Sequence, residues 1–242
     1  MNILVLKHVA CEHPGYFRQL LAEDGHSWTA VELDQGESLP PLDGYDALWV
    51  MGGPMDVWQE ETHPWLAAEK AYIREAVAER GLPFFGLCLG HQLLACALGG
   101  DCGKGTPEIG VMDVHLTEAG AESIFFDGVD FPLKSLQWHG AEVTELPEGA
   151  KVLATSEACA VQAMSWGPRA LSMQFHMEVE DDTVDMWSEI PEYRAALDEA
   201  LGPDGVAAIN TACSAAMPSF NTAAERIYIN WFQACAQGPG MR

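Results

Sequence analysis

The sequence predicts an α/β protein built on a mostly parallel sheet flanked by helices, with a strand-rich middle segment. Short apolar runs bounded by Gly and Pro alternate with amphipathic stretches in the first part of the chain. This order is typical of parallel strands joined by helices. With 242 residues, 48% of them hydrophobic, the chain can bury a substantial core as one domain. We therefore expect a single domain over residues 1–242, with a helical C-terminal extension from about residue 184.

Local patterns predict each element in order. The strands of the first part are expected at residues 3–6, 27–33, 45–51 and 82–87, and the helices at 16–23, 64–80 and 91–98. Pro64 suits the first turn of its helix and Gly81 its end. The middle strands are expected at 111–116, 134–138, 151–154, 160–164 and 170–175. Helices at 192–201, 203–212 and 222–234 precede a loose tail at 238–240.

Cys88 lies between two glycines at the end of an apolar run, in Phe-Phe-Gly-Leu-Cys-Leu-Gly-His-Gln (84–92). The spacing G-x-C-x-G is the nucleophile-elbow pattern with Cys in place of Ser, in which a strand turns abruptly into a helix and lifts one side chain above the sheet. Gly86 and Gly90 remove side chains that would collide across so tight a turn. The N–H groups that follow can hold an oxyanion at the helix N-terminus. Taken alone, the motif is equally compatible with a buried structural cysteine.

A base and an orienting group follow the predicted strand at 170–175, whose C-terminal end carries His176 and Glu178. Two residues apart on an extended chain, these side chains project to the same side. Glu178 could therefore hold the imidazole tautomer while the other ring nitrogen faces Cys88. Because ligands of open α/β sheets bind at the C-terminal ends of the strands, the pattern predicts a Cys–His–Glu site at that edge.

Four segments together resemble the class I (triad-type) glutamine amidotransferases. They are the nucleophile-like segment 86–92, the His/Glu segment Phe-His-Met-Glu-Val (175–179), the oxyanion-loop segment Met-Gly-Gly-Pro (51–54), and Trp-His-Gly (138–140), similar to a segment that binds the substrate through its backbone. Two positions depart from the family pattern. Met177 stands where the family usually has Pro, and Ala141 stands where Asp is common.

The resemblance implies hydrolysis of the glutamine side-chain amide through a thioester on Cys88, with His176 moving protons and Glu178 orienting it. It implies an oxyanion hole formed by the N–H groups of Gly53 and Leu89. The implied substrate-binding residues are Gly52, Gln92, Gly140 and Ala141. Such a site needs no metal or organic cofactor, and the ammonia would pass to a separate synthase subunit.

Two other functions remain open. Because no acceptor domain is recognisable in the sequence, the chain could instead be a stand-alone γ-glutamyl hydrolase or peptidase acting on a γ-glutamyl amide or peptide. It could also be a non-catalytic module that binds γ-glutamyl compounds or a partner. The complete Cys, His and Glu set argues against that last function.

Composition limits the partners and the compartment. The formal net charge of −24, from 36 acidic and 12 basic residues, repels phosphate backbones and argues against nucleic-acid binding. This acidity is typical of a solvated surface, and the alternative is steering of cationic substrates or of a basic partner. There is no apolar run of membrane-spanning length and no signal-peptide n-region. Seven scattered cysteines without CxxC spacing favour a reducing cytoplasm over a disulfide framework or a zinc site.

The histidines outside these motifs lack metal-ligand spacing, and we expect most to be surface or capped residues. They are His8, His13, His26, His63 and His115. His91 follows Cys88 too closely to act as its base and is expected to pack near the start of the helix.

Overall fold

The computed structural model describes residues 1–237. Nine strands form one mixed sheet in the order β2-β1-β3-β4-β9-β8-β7-β5-β6. The strands are β1 (Asn2–Lys7), β2 (Ser27–Glu32), β3 (Ala47–Val50), β4 (Phe84–Leu87), β5 (Asp101–Leu116), β6 (Leu133–Glu145), β7 (Ala150–Thr155), β8 (Ala163–Trp166) and β9 (Ala170–Met173). The helices are α1 (Phe17–Glu23), α2 (Trp65–Arg74), α3 (Leu89–Ala97), α4 (Glu118–Ala121), α5 (Thr183–Ser188), α6 (Pro191–Leu201) and α7 (Gly205–Ala236).

The sheet has a parallel part and an antiparallel part. Strands β2, β1, β3, β4 and β9 are mutually parallel, whereas β9, β8, β7, β5 and β6 pair antiparallel. The apolar sequences of β3, β4 and β9 are buried along their whole length, as expected for strands covered on both faces. The predicted α/β class and the strand-rich middle segment are confirmed. The parallel strands bring the residues that follow β1, β3, β4 and β9 to one edge.

Two apolar cores cover the two faces of the sheet. On one face α2 and α3 pack through residues such as Leu66, Ile73 and Leu93. On the other face α1 and α7 pack through Phe17 and Trp231. The Trp231 indole N–H also donates a hydrogen bond of 2.9 Å to the carbonyl oxygen of Phe84 in β4. The long C-terminal helix is therefore fixed to the strand that leads into Cys88.

The middle strands are longer than the sequence indicates. Strand β5 begins at Asp101, whereas the predicted strand begins at residue 111. Gly103, Gly105 and Pro107 hide the pattern, because these residue types are rare inside strands. The register against β6 shifts between Lys104 and Glu108, so an irregular pairing accommodates them. Strand β8 occupies Ala163–Trp166, which corrects the prediction of 160–164.

The C-terminal region is one helix where two were predicted. Helix α7 continues from Gly205 to Ala236 through Pro218, so the predicted break between 212 and 222 is wrong. Buried side chains on both sides of Pro218, including Cys213 and Phe220, hold the helix against the core, and this packing outweighs the lost N–H of proline. Helix α5 begins at Thr183, close to residue 184, where the helical extension was expected to start, although no separate helix was predicted there. The predicted tail at 238–240 lies outside the described residues.

The predicted helix at 64–80 is α-helical only as far as Arg74 and continues as a π-helical turn over Glu75–Glu79. Leu66, Ile73 and Val77 are buried, which confirms their predicted place in the core. Glu69 lies on the same buried face. Within residues 1–237, no helix combines the length and the apolar character needed to cross a membrane.

Candidate active site

Cys88 occupies a strained turn between β4 and α3. Its φ of 48° makes it the one non-glycine residue with positive φ among the described residues, and such a conformation costs about 1–3 kcal/mol. A Cβ on Gly90 would lie 2.1 Å from the carbonyl oxygen of Val50, and one on Gly86 would lie 2.8 Å from that of Gly90. The predicted reason for both glycines is confirmed. The turn places the thiol at the N-terminus of α3.

His176 and Glu178 form a buried pair just beyond β9. Nδ1 of His176 lies 2.5 Å from Oε1 of Glu178, and the two side chains are 1% and 5% exposed. Backbone hydrogen bonds in both directions between His176 and Leu136 fix the imidazole's position. Burial lowers the pKa of His176, but the Glu178 carboxylate and the Cys88 thiol together raise that pKa well above its ordinary value. The predicted Cys, His and Glu side chains are thus brought together.

Met177 contributes through its backbone. Its N–H donates a hydrogen bond of 2.9 Å to Oε2 of Glu178, while Oε1 of the same carboxylate meets His176. A proline at this position has no N–H to donate. The departure from the family pattern therefore gives Glu178 a second hydrogen bond and fixes its orientation.

A second carboxylate, which the sequence did not reveal, lies beside this pair. Ligand atoms of Glu12, His176 and Glu178 lie within 4.8 Å of one another. The Tyr193 hydroxyl on α6 donates a hydrogen bond of 2.6 Å to Oε1 of Glu12, and burial raises the pKa of Glu12. The ring of Trp187 on α5 packs edge-on against His176, with a centroid separation of 4.6 Å. Helix α5 thereby covers the imidazole, and α6 holds the Glu12 carboxylate beside it.

The predicted oxyanion-hole residues lie beside Cys88. Gly53 and Leu89 both line the cavity next to Cys88. Among the described residues, neither backbone N–H has an intramolecular hydrogen-bond acceptor. Gly52 does not line the cavity. Its carbonyl oxygen lies 2.7 Å from Nδ1 of the buried His8, so Gly52 faces the protein interior.

A cavity of about 530 Å³ opens above Cys88. Three predicted substrate-binding residues, Gln92, Gly140 and Ala141, line its wall. The Gln92 side-chain amide donates to Oε1 of Gln174 at 3.1 Å and to the Ala141 carbonyl at 3.4 Å. Gln92 therefore supports the wall that Ala141 forms, and Gly140 is exposed.

Acidic residues mark the outer part of the cavity. Its lining includes Asp56 from the loop after β3 and Glu192 and Glu199 from α6. Burial raises the pKa of Asp56, which the nearby Lys104 opposes. Tyr193 contributes to the same wall. The C-terminal extension thus supplies one side of the candidate active site.

Within residues 1–237, two clusters have donor atoms close enough to hold a metal ion: Glu12 with His176 and Glu178, and Glu108 with His139 and Cys159. In the second, Oε2 of Glu108 accepts hydrogen bonds from Ser156 and Gln162. Burial raises the pKa of the Cys159 thiol to about 12. Both observations fit a hydrogen-bonded network better than a metal centre. A cysteine must be deprotonated to bind a metal ion, and a carboxylate oxygen needs a free lone pair. That the site needs no metal stays a prediction.

The remaining histidines differ in their surroundings. His91 is buried between Ser172 and the Val161 carbonyl, and burial lowers its pKa to about 3, so it packs at the helix start as predicted. The prediction of a surface or capped role is wrong for His8, which is 1% exposed. The sequence did contain a signal that His8 lies near the site, because His8 directly follows the apolar run of β1. The residues that follow β3 and β4 lie at the same edge of the sheet.

Comparison with known proteins agrees with this geometry. The model of the family described as glutamine amidotransferase class-I matches residues 17–186. The glutamine amidotransferase-like protein YfeJ of Salmonella typhimurium is 33% identical over 190 residues, which cover 76% of this chain and 79% of that protein. One of the subunits of the glutamine-hydrolyzing GMP synthase of Sulfolobus acidocaldarius is 32% identical over 152 residues, covering 62% of this chain and 76% of that protein.

The fold is shared along nearly the whole chain with a solved structure. A glutamine amidotransferase from Thermotoga maritima superposes with a TM-score of 0.83 at 28% identity, covering 98% of this chain and 99% of that one. The parallel sheet and the matched segment define a protein of the amidotransferase class. The chain belongs to the class-I glutamine amidotransferase family.

Proposed function

We propose that this chain hydrolyses the side-chain amide of glutamine through a thioester on Cys88 and releases ammonia for a separate synthase subunit. The observation that carries the proposal is the juxtaposition of a strained, helix-capping Cys88 with the buried His176–Glu178 pair. A nucleophile, a base and an orienting group in this arrangement are the parts that acyl transfer requires.

The chemistry proceeds in two displacements. The Cys88 sulfur attacks the amide carbon, and the charge on the carbonyl oxygen is stabilised by the N–H groups of Gly53 and Leu89. His176 gives its proton to the departing nitrogen, which leaves as ammonia. His176 then takes a proton from water, and the water oxygen attacks the thioester carbon. The Cys88 sulfur leaves, and glutamate is released. Glu178 holds the imidazole in position throughout.

The name of one relative supports transfer of ammonia to a partner. The Sulfolobus acidocaldarius relative is named as glutamine-hydrolyzing and as one subunit of a GMP synthase. We further propose that residues 1–242 act as one domain, because α6 lines the cavity and α7 packs on β4.

The cavity also supports a second candidate, the stand-alone γ-glutamyl hydrolase. A volume of about 530 Å³ lies in the range of sites for ligands larger than a free amino acid, about 300–1,000 Å³. The acidic side chains of Glu192 and Glu199 lie at its outer part. An amide whose leaving amine extends past Cys88 towards α6 would use this space.

Steady-state kinetics separates the two candidates. The purified chain is assayed on glutamine and on a panel of γ-glutamyl amides and peptides, with and without cell extract. The amidotransferase proposal predicts weak glutaminase activity that rises when a synthase binds and favours the active oxyanion loop. A kcat/KM of about 10⁴ M⁻¹s⁻¹ or more for the chain alone on a larger amide would identify the hydrolase instead. A Cys88→Ala variant controls for contaminating activity.

A further inference from the structure

A second buried histidine–glutamate pair lies under the loop that carries Gly53. His8 follows β1, and its Nε2 lies 2.9 Å from Oε1 of Glu69 on α2. Both side chains are 0% exposed. The imidazole stacks on Trp65, with ring centroids 5.4 Å apart and an interplanar angle of 14°. The pair is therefore held rigidly in the interior, and the proposed chemistry does not use it.

The other ring nitrogen of His8 holds one particular peptide bond. Nδ1 lies 2.7 Å from the carbonyl oxygen of Gly52. The Gly52–Gly53 peptide is trans, since the one cis bond among the described residues is Phe131–Pro132. In a trans peptide the C=O and the following N–H point in opposite directions. His8 holds the Gly52 carbonyl towards the protein interior. The Gly53 N–H therefore points away from His8, to the side on which Gly53 lines the cavity.

The tautomer of His8 follows from the Gly52 carbonyl. A carbonyl oxygen can only accept a hydrogen bond, so Nδ1 must carry a proton and donate it. Burial lowers the pKa of His8, but the charge and the hydrogen bond of Glu69, with the Gly52 carbonyl and Glu12, raise it above its ordinary value. The cation and the neutral imidazole protonated at Nδ1 both keep the bond to Gly52, and Glu69 holds Nε2.

Close packing leaves this loop little freedom. A Cβ on Gly53 would lie 2.8 Å from Cβ of His8, and a Cβ on Gly52 would lie 2.7 Å from Oε2 of Glu12. The two glycines are thus enclosed between the His8 side chain and the Glu12 carboxylate. Only residues without side chains fit, and the orientation of their shared peptide depends on the hydrogen bond to His8.

We propose that His8 and Glu69 are positioning residues that lock the Gly52–Gly53 peptide in the orientation that presents the Gly53 N–H to the oxyanion. This inference rests on the proposed function, because the oxyanion forms only during attack by Cys88. The Gly53 N–H interacts most strongly with the transition state, so the lock acts on kcat and leaves substrate binding nearly unchanged.

Three variants test the lock. His8→Leu removes the donor to Gly52. His8→Asn places an amide nitrogen near the position of Nδ1 but cannot reach Glu69. His8→Gln places its amide near the position of Nε2, beyond the position of Nδ1. His115→Asn, at an exposed position on β5, is the matched control. The readouts are kcat, KM and the rate at which iodoacetamide alkylates Cys88, a reaction that needs no oxyanion hole.

We expect His8→Leu to lose about 10²-fold or more in kcat, with KM and the alkylation rate changed by less than about threefold. His8→Asn should recover at least about tenfold of that loss, because one donor to Gly52 is restored. A His8→Leu enzyme with kcat within threefold of wild type overturns the proposal. The proposal is also overturned if kcat and the rate of Cys88 alkylation fall by the same factor, because the defect would then lie in the thiol or in the fold.

The His8→Gln variant decides the matter if His8→Leu does not fold. Its amide nitrogen lies near the position of Nε2, so it can still meet Glu69, but the Gly52 carbonyl loses its donor. We expect the kcat of His8→Gln to lie at least about tenfold below that of His8→Asn, with similar rates of Cys88 alkylation in the two variants. Equal kcat values for the two variants overturn the proposal.

Crystal structures separate this inference from the proposed function. If the wild-type chain hydrolyses no γ-glutamyl amide, the proposed function fails, and the peptide orientation still tests the lock. The Gly52 carbonyl should face His8 in wild type and turn away from residue 8 in the Leu variant or, where that variant does not fold, in His8→Gln. An unchanged peptide overturns the lock.

Discussion

Two of the buried histidine–glutamate pairs among the described residues lie at one edge of the sheet, and they differ in what the second ring nitrogen of each histidine meets. His176 is bonded to Glu178 and interacts with the Cys88 thiol. His8 is bonded to Glu69 and to a backbone carbonyl. In both, the carboxylate favours the protonated imidazole. In our proposals, a buried pair of the same kind moves protons at His176 and holds the backbone at His8, because the other ring nitrogen meets a different atom.

The largest effects should come from the pair that meets the thiol. Cys88→Ala and His176→Ala should each lower kcat/KM by about 10³-fold or more, and the double variant should be little worse because the residues act as a unit. Steady-state kinetics on glutamine, with circular dichroism to verify the fold, measures this. Activity of His176→Ala within tenfold of wild type would show that the two pairs do not differ as described.

Gly53→Ala disturbs the loop that His8 holds. The added Cβ would lie 2.8 Å from Cβ of His8 and 2.9 Å from Cδ2 of Leu89, so the loop must shift from its present position. We expect kcat to fall by about 10²-fold while the rate of Cys88 alkylation stays near that of wild type. Wild-type kcat in this variant would contradict a role for the loop in catalysis.

Glu178→Gln tests the carboxylate of the reactive pair. The amide keeps the size of the side chain but removes the charge that raises the pKa of His176. We expect a loss of at least tenfold in kcat/KM, smaller than that of Cys88→Ala. The imidazolium is then lost at a lower pH, so the alkaline limb of the pH profile should move to lower pH. A limb at an unchanged pH would show that another group sets the protonation of His176.

Tyr193→Phe tests whether Glu12 contributes to the chemistry of the His176–Glu178 pair. The substitution removes the 2.6 Å hydrogen bond to Oε1 of Glu12, worth about 1 kcal/mol, and leaves the ring in the cavity wall. We expect kcat/KM to fall by about fivefold or less. A loss as large as that of Glu178→Gln would make Glu12 a third member of the reactive site.

Chelation should have the smallest effect. A carboxylate oxygen of each cluster already accepts a hydrogen bond, so prolonged dialysis against EDTA should leave kcat/KM unchanged. Metal analysis of the untreated protein is the control. Activity lost on dialysis and restored by zinc alone would contradict this expectation.

The two pairs also differ in how far the sequence reveals them. His176 and Glu178 are two residues apart on an extended segment, so their proximity follows from local geometry. His8 and Glu69 are separated by 61 positions and meet only because β1 and α2 pack together. The sequence did indicate that Glu69 has a buried partner, since burying a charged residue on the same face as Leu66 and Ile73 is costly unless it is paired. The identity of that partner could not be predicted from the spacing of residues.

The fold shows a similar division. The parallel strands were predictable because continuous apolar runs bounded by Gly and Pro are local features. The first part of β5 was hidden by Gly103, Gly105 and Pro107, and its register depends on β6. The continuity of α7 through Pro218 depends on burial against the rest of the protein. Tertiary packing overrides local preference at both places.

In the proposed function Cys88, and no other cysteine, carries the acyl group during turnover. Rapid acid quenching of the chain during hydrolysis of glutamine, followed by peptide mass spectrometry, tests this assignment directly. We expect a γ-glutamyl thioester on the peptide that contains Cys88. This thioester should be absent from Cys88→Ser, and it should accumulate in His176→Ala after that variant is acylated with an activated γ-glutamyl ester. A thioester on Cys159 or another cysteine, or turnover by Cys88→Ser at a rate near that of wild type, would contradict it.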